Sequence, residues 1–186
     1  MNWYETVFEV IDMRSFSNLW YWIGLAVLWS SVSHWVMGVP FDMILRARRL
    51  KDGPHMDDLE DLARVSVNRI LFISDVAGIW IALFGSAFLT ALTIVAFGYG
   101  IEFAQALLFL VLPLSILALL SVRTAHLIRK GQDKGDLLIK RLLRHRLTTQ
   151  LIGVVSIFVT AMYGMYTNLY VCLLYTSDAA DDPTLV

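Results

Sequence analysis

Residues 70–122 read ILFISDVAGIWIALFGSAFLTALTIVAFGYGIEFAQALLFLVLPLSILALLSV and contain no Lys or Arg. The run breaks once, at Phe97-Gly98-Tyr99-Gly100, into two apolar segments. About 20 apolar residues in a helix cross the ~30 Å hydrocarbon layer of a bilayer. Lipid offers no partner to an unpaired backbone group, so a crossing segment must be helical or part of a closed barrel. The stretch therefore predicts a transmembrane helical hairpin, with spans at about 70–97 and 101–122.

Two further apolar runs flank it. One covers about 19–39, opened by Ser17-Asn18 and closed by Pro40. Trp20, Tyr21 and Trp22 crowd its start and Trp35 lies near its end, the positions of the aromatic belts at the two membrane surfaces. The other covers about 149–171. In residues 2–15, NWYETVFEVIDMRS, helical spacing puts Glu5, Glu9 and Asp12 on one face and Trp3, Val7 and Val10 on another. That pattern suits a helix lying in the interface. The expected fold is an all-α integral membrane protein: a four-transmembrane-helix bundle with an N-terminal interfacial amphipathic helix, one domain over 1–171.

Composition agrees. The chain is 58% hydrophobic and 17% charged, against about 25% charged in soluble domains, and its mean hydropathy is +0.64. A net charge of -1 hides a strong segregation. All 15 Lys and Arg residues except Arg14 fall in segments 41–69 and 123–148. The positive-inside rule makes those loops cytoplasmic. Both termini and the 98–100 turn then lie on the opposite side. Lys51-Asp52-Gly53-Pro54 divides the first loop into two short helices. The second ends in GDLLIKRLLRHRL, residues 135–147, a basic amphipathic helix continuing into the last span. Arg129, Lys130, Lys140, Arg141 and Arg144 are candidates for contact with anionic lipid or a protein partner.

Asp75 is the most informative single residue. An ionisable group in a span usually faces the bundle interior or water. Gly78, Ala82, Ser86 and Thr90 continue its face at helical spacing, and small residues let helices approach closely. Asp75 reads as a proton or cation site, or as an interfacial Asp paired with Arg69, Arg123 or a polar group of another span. Gly153, Ser156, Thr160, Gly164 and Asn168 form a second such stripe, the expected packing partner of the first. His34, with Ser30, Ser31 and Ser33, makes a polar patch on the first span. It reads as a hydrogen-bonded packing residue or as a haem ligand, and a haem needs a second axial ligand at similar depth. Glu102 opens the third span, where an acid suits the helix dipole. Pro113 interrupts that span and frees a backbone carbonyl. No phosphate-binding loop, metal-ligand spacing, catalytic triad or paired carboxylates stand out. The chain is read as binding no cofactor, metal or nucleic acid and as having no catalytic residues.

Four stretches carry two resemblances. YETVFEVIDMRSFSNLWYWIGLAVLWS, SHWVMGVPFDM and SIFVTAMYGMYTNLY resemble small bacterial inner-membrane proteins labelled "component of SufBCD complex". That likeness implies a bacterial inner-membrane location and an accessory role linked to iron–sulfur cluster assembly. With the orientation set by the basic loops, both termini are then expected to be periplasmic. It carries no functional residues, since cluster ligation relies on Cys or His. Residues 172–182, CLLYTSDAADD, resemble a translated sequencing adapter, so residues 172–186 are expected to be a non-native tail and Cys172 supports no thiol or metal argument. Three function classes follow: a non-enzymatic accessory or scaffold subunit of a membrane complex, a small proton- or ion-coupled transporter using Asp75, and a b-type cytochrome using His34.

Overall fold

The computed structural model describes residues 16, 18–50, 53–131 and 134–180. The amphipathic segment read at 2–15 lies outside the described residues. In order come α1 (Leu19–His34), the two-residue strands β1 (Trp35–Val36) and β2 (Val39–Pro40), α2 (Phe41–Leu50) and α3 (Pro54–Thr93). A π-helical turn (Ile94–Gly98), α4 (Glu102–Arg129) and α5 (Gly135–Ala180) complete the chain.

Three helices are long and apolar enough to cross a membrane: Pro54–Gly98, Glu102–Arg129 and Gly135–Tyr170. The first and last are longer than their apolar cores, because each charged segment joins its span without a break. Pro54 starts α3 where its missing N–H costs nothing. The second short helix of the 41–69 loop and the following span are thus one rod of 40 residues.

The apolar run at 19–39 is not one helix. Asn18 caps α1 by accepting the Trp20 N–H at 3.0 Å, and α1 ends at His34 after 16 residues, about 24 Å of rise. The chain then reverses in a hairpin that pairs Trp35 with Pro40 and Val36 with Val39. Met37 and Gly38 sit at the turn with φ of 54° and 85°, the double positive φ of a type I′ turn. A Cβ on Gly38 would stand 3.2 Å from Ser66 Oγ, so the positive φ favours glycine and a side chain there would press on Ser66. Val36, Met37 and Val39 are buried in protein instead of continuing the span.

They belong to the largest core, at the charged end of the molecule. It gathers the hairpin, Ile44 and Ala47 of α2, Leu59, Ala63, Val67 and Leu71 of α3, Ala125 and Ile128 of α4, and Leu138, Ile139 and Leu142 of α5. The apolar side of the basic amphipathic helix is therefore spent on protein. Glu60 ties the same region together by accepting the Gly135 N–H at 2.7 Å. The Arg146 guanidinium lies 3.3 Å above the Phe41 ring, and its Nε donates to the Ser33 carbonyl at 3.4 Å.

At the other end, α3 and α4 meet through Leu92, Ala96, Ala104 and Leu108. The π-helical turn there leaves the Ala96 carbonyl to accept from Gln105 Nε2 at 2.9 Å, a buried bond. Gly100, at φ 68°, completes the reversal. Phe16 closes this end. Its N–H donates to Glu102 Oε1 at 2.8 Å, its carbonyl accepts from Trp22 Nε1 at 3.1 Å, and its ring packs edge-on to Tyr21 and Tyr163. Glu102 thus does more than complement a helix dipole, because it holds a segment far away in sequence.

Candidate functional site

The two small-residue stripes have different partners from those expected. The α5 stripe packs on α1 and α4, not on the Gly78 stripe. A Cβ on Gly153 would come 2.8 Å from Trp29 Cε3, and one on Gly164 would come 3.1 Å from Phe16 Cδ1. Thr160 is buried and donates to the Ser156 carbonyl at 2.8 Å. Aromatic rings of and beside α1 fill the gaps that these glycines leave, which is why a glycine row there meets large residues and not a second row of small ones.

Ser156 itself donates to the Phe109 carbonyl at 3.4 Å. Phe109 is four residues before Pro113, so this is the carbonyl that the proline leaves without an intrahelical donor. The hydroxyl of one helix repairs the break in another, as Ser and Thr do around prolines in membrane helices. Pro113 is buried inside α4, and its break is matched by a neighbour instead of lining a polar path.

Gly78, Ala82 and Ser86 instead line a groove between α3 and α4. The groove has a volume of about 1010 Å³ and lies between the two packed ends of that helix pair. Across it stand Ser115, Ala118, Leu119 and Val122 of α4, and Arg123, His126 and Lys130 lie at its charged end. No acidic residue lines it. Thr90, on the same stripe, is exposed and donates to the Ser86 carbonyl at 2.8 Å.

Asp75 lies next to this groove but outside its lining. It is exposed, with Phe72, Val76 and Ile79 around it exposed by 68%, 65% and 85%. Among the described residues, the ion pairs are Arg46–Asp42 and Arg64–Asp61, so Asp75 is not salt-bridged to Arg69 or Arg123. The residue expected to face a helix interface faces outward from an apolar surface.

Ser30 is exposed, and His34 is exposed at the last position of α1, edge-on to Trp35 at 6.0 Å. The histidine held inside the molecule is His145, only 7% exposed. Its Nε2 lies 3.4 Å from Ser121 Oγ and its Nδ1 3.3 Å from Thr124 Oγ1. The sequence reading above gives His145 no role, although a signal was present. Leu138, Leu142, His145, Thr149, Gly153, Ser156, Thr160 and Gly164 recur at three- and four-residue spacing, and all are buried. Extending the recognised stripe backwards would have found it. Gln105 was missed as well, since a Gln in a span has no positional signal until its acceptor is known. Arg129, Lys130, Lys140 and Arg144 are exposed and Arg141 is half-buried. Among the described residues, no group of three or more His, Cys, Asp or Glu side chains is placed to hold a metal.

These features define a helical protein with three helices long and apolar enough to cross a membrane, a packed charged end and an open helix-pair groove. No protein-family model, curated protein or solved structure matches the chain.

Proposed function

We propose that the chain is a non-enzymatic accessory or assembly subunit of a larger complex in a bacterial inner membrane. In this reading it crosses the membrane four times. The basic end is cytoplasmic and both termini are periplasmic, with residues 2–15 lying in the outer interface. The fourth crossing is α1. Its first turn is tied to the turn end of the bundle through Phe16 and Glu102, and its last turn to the basic end through Ser33 and Arg146. Those ties hold α1 alongside the bundle over 16 residues, about 24 Å of rise.

The observation that carries the subunit reading is Asp75. A carboxylate on the outer, apolar face of a candidate span, with no ion pair of its own among the described residues, is costly against lipid. A partner supplying a cation or hydrogen-bond donor removes that cost. A carrier would need this group turned toward an internal path, and a haem protein would need His34 facing a second ligand. Both residues lie on the outer surface. The link to iron–sulfur assembly rests on resemblance alone, as does treating residues 172–186 as non-native.

Purification in mild detergent, with mass spectrometry of what co-purifies stoichiometrically, tests the reading. The wild type is expected to bring down a defined partner. Asp75→Leu is expected to lose it while its own thermal stability stays equal or rises. A partner-free wild type, or an Asp75→Leu protein that keeps the same partner, overturns the assignment. Proton-coupled uptake abolished by Asp75→Asn would favour the carrier.

A further inference from the structure

The α3–α4 groove has two chemically different parts. Its body is apolar, and three of its four serine hydroxyls are already spent: Ser86, Ser115 and Ser121 donate to the carbonyls of Leu83, Leu112 and Leu117 at 3.0, 2.7 and 2.9 Å, which leaves Ser74. A polar solute would find little to bond there. Its mouth is cationic. Arg123 and His126 of α4 and Lys130, the residue that caps it, follow one another at helical spacing, are exposed, and take no part in an ion pair among the described residues. The lining holds no Asp or Glu to offset them.

We propose that this groove holds one anionic phospholipid, with an acyl chain against Gly78, Ala82, Gly85 and Ala118 and the phosphate among Arg123, His126 and Lys130. The charge complementarity decides the occupant. An apolar slot ending in two cations, Arg123 and Lys130, with the His126 ring between them in sequence, matches a molecule with an apolar tail and one anionic head. A transmembrane helix from a partner would fill the slot but leave those cations without a counter-charge. The groove is a fixed feature, because the core around Leu71, Ala125 and Ile128 holds the two helices at one end and Leu92, Ala96 and Leu108 hold them at the other. The site goes beyond diffuse attraction of lipid to basic loops, since only Lys130 is shared with the general basic surface read from the sequence.

The test is lipid binding to the purified full chain by native mass spectrometry. Phosphatidylglycerol and phosphatidylcholine of identical chains are the probes, with water-soluble glycerophosphate as a control. Phosphatidylglycerol is expected to bind more tightly than phosphatidylcholine. Each cation near a headgroup contributes about fivefold, so the double variant Arg123→Gln/Lys130→Gln is expected to weaken phosphatidylglycerol about 25-fold. The pair Lys140→Gln/Arg144→Gln, on α5 and outside the lining of the groove, is expected to change it about twofold or less, because exposed charges away from the site are screened. Gly85→Phe enters open space, with no atom within 4 Å of its Cβ, and is expected to weaken both lipids while the fold persists. Equal binding of the two lipids overturns the proposal, as does equal loss from the two double variants. So does an unaffected Gly85→Phe protein, or glycerophosphate binding as tightly as the lipid. A photocrosslinker at Ser115 that captures a protein segment instead of lipid also overturns it.

Discussion

Single side chains settle how this chain satisfies its polar groups away from water. Pro113 and Ser156 are the clearest pair, since one frees the Phe109 carbonyl and the other occupies it. Ser156→Ala is expected to cost about 0.6–1.7 kcal/mol, the range for hydrogen bonds between membrane helices. In a Pro113→Ala background the restored N–H serves Phe109, so the same serine change is expected to cost less. A double-mutant cycle by thermal unfolding in detergent measures the difference, and equal costs in both backgrounds would refute the repair. Gly153 poses a steric question. Gly153→Ala puts a methyl 2.8 Å from the Trp29 ring, and overpacking of this kind costs about 1–3 kcal/mol. Adding Trp29→Leu is expected to recover part of the loss, which the same melts would reveal.

At the scale of elements, the reversals matter more than the spans. The turn joining α3 and α4 depends on the π-helical turn and on Gln105, which is 8% exposed. Gln105→Leu leaves the Ala96 carbonyl buried and unpaired, at an expected cost of about 1–3 kcal/mol. Amide hydrogen exchange is expected to rise first in residues 92–105, and uniform loss of protection would argue against a local role. The hairpin after α1 has a similar standing. Met37-Gly38 lacks the usual Asn-Gly signature of a type I′ turn, so an apolar run through Val39 reads as helix until the packing of Val36, Met37 and Val39 is seen. The basic helix at the start of α5 was legible as amphipathic, but its apolar side faces α2 and α3, not lipid. Periodicity reports that a face will be buried and is silent on what buries it.

For the molecule as a whole, the charged loops form one packed body and the apolar middle is loosely closed. Orientation is testable through labelling in a Cys172→Ser background. Tyr99→Cys is expected to react with a membrane-impermeant maleimide in intact cells. Lys140→Cys is expected to react only after permeabilisation, and the reverse pattern would invert the proposed topology. Salt offers a second check on the charged end. Arg146→Gln removes the contact with Phe41 and the bond to Ser33 and is expected to destabilise by about 1–2 kcal/mol. The loss should persist in high salt, because the cation–π stack is partly desolvated.

The sequence by itself determined that the chain is helical and holds segments long and apolar enough to cross a membrane, because lipid solvates only segments of sufficient length and apolarity and because local periodicity is written residue by residue. It counted four such segments where three long apolar helices form. What only the tertiary structure decided is which faces meet: that the α5 stripe receives the rings of Trp29 and Phe16, that His145 sits between Ser121 and Thr124, that Asp75 points outward, and that Gly78 borders an open groove. A stripe of small residues specifies close approach and not the identity of what approaches, and a polar side chain is costly or harmless only once its partner across the bundle is known.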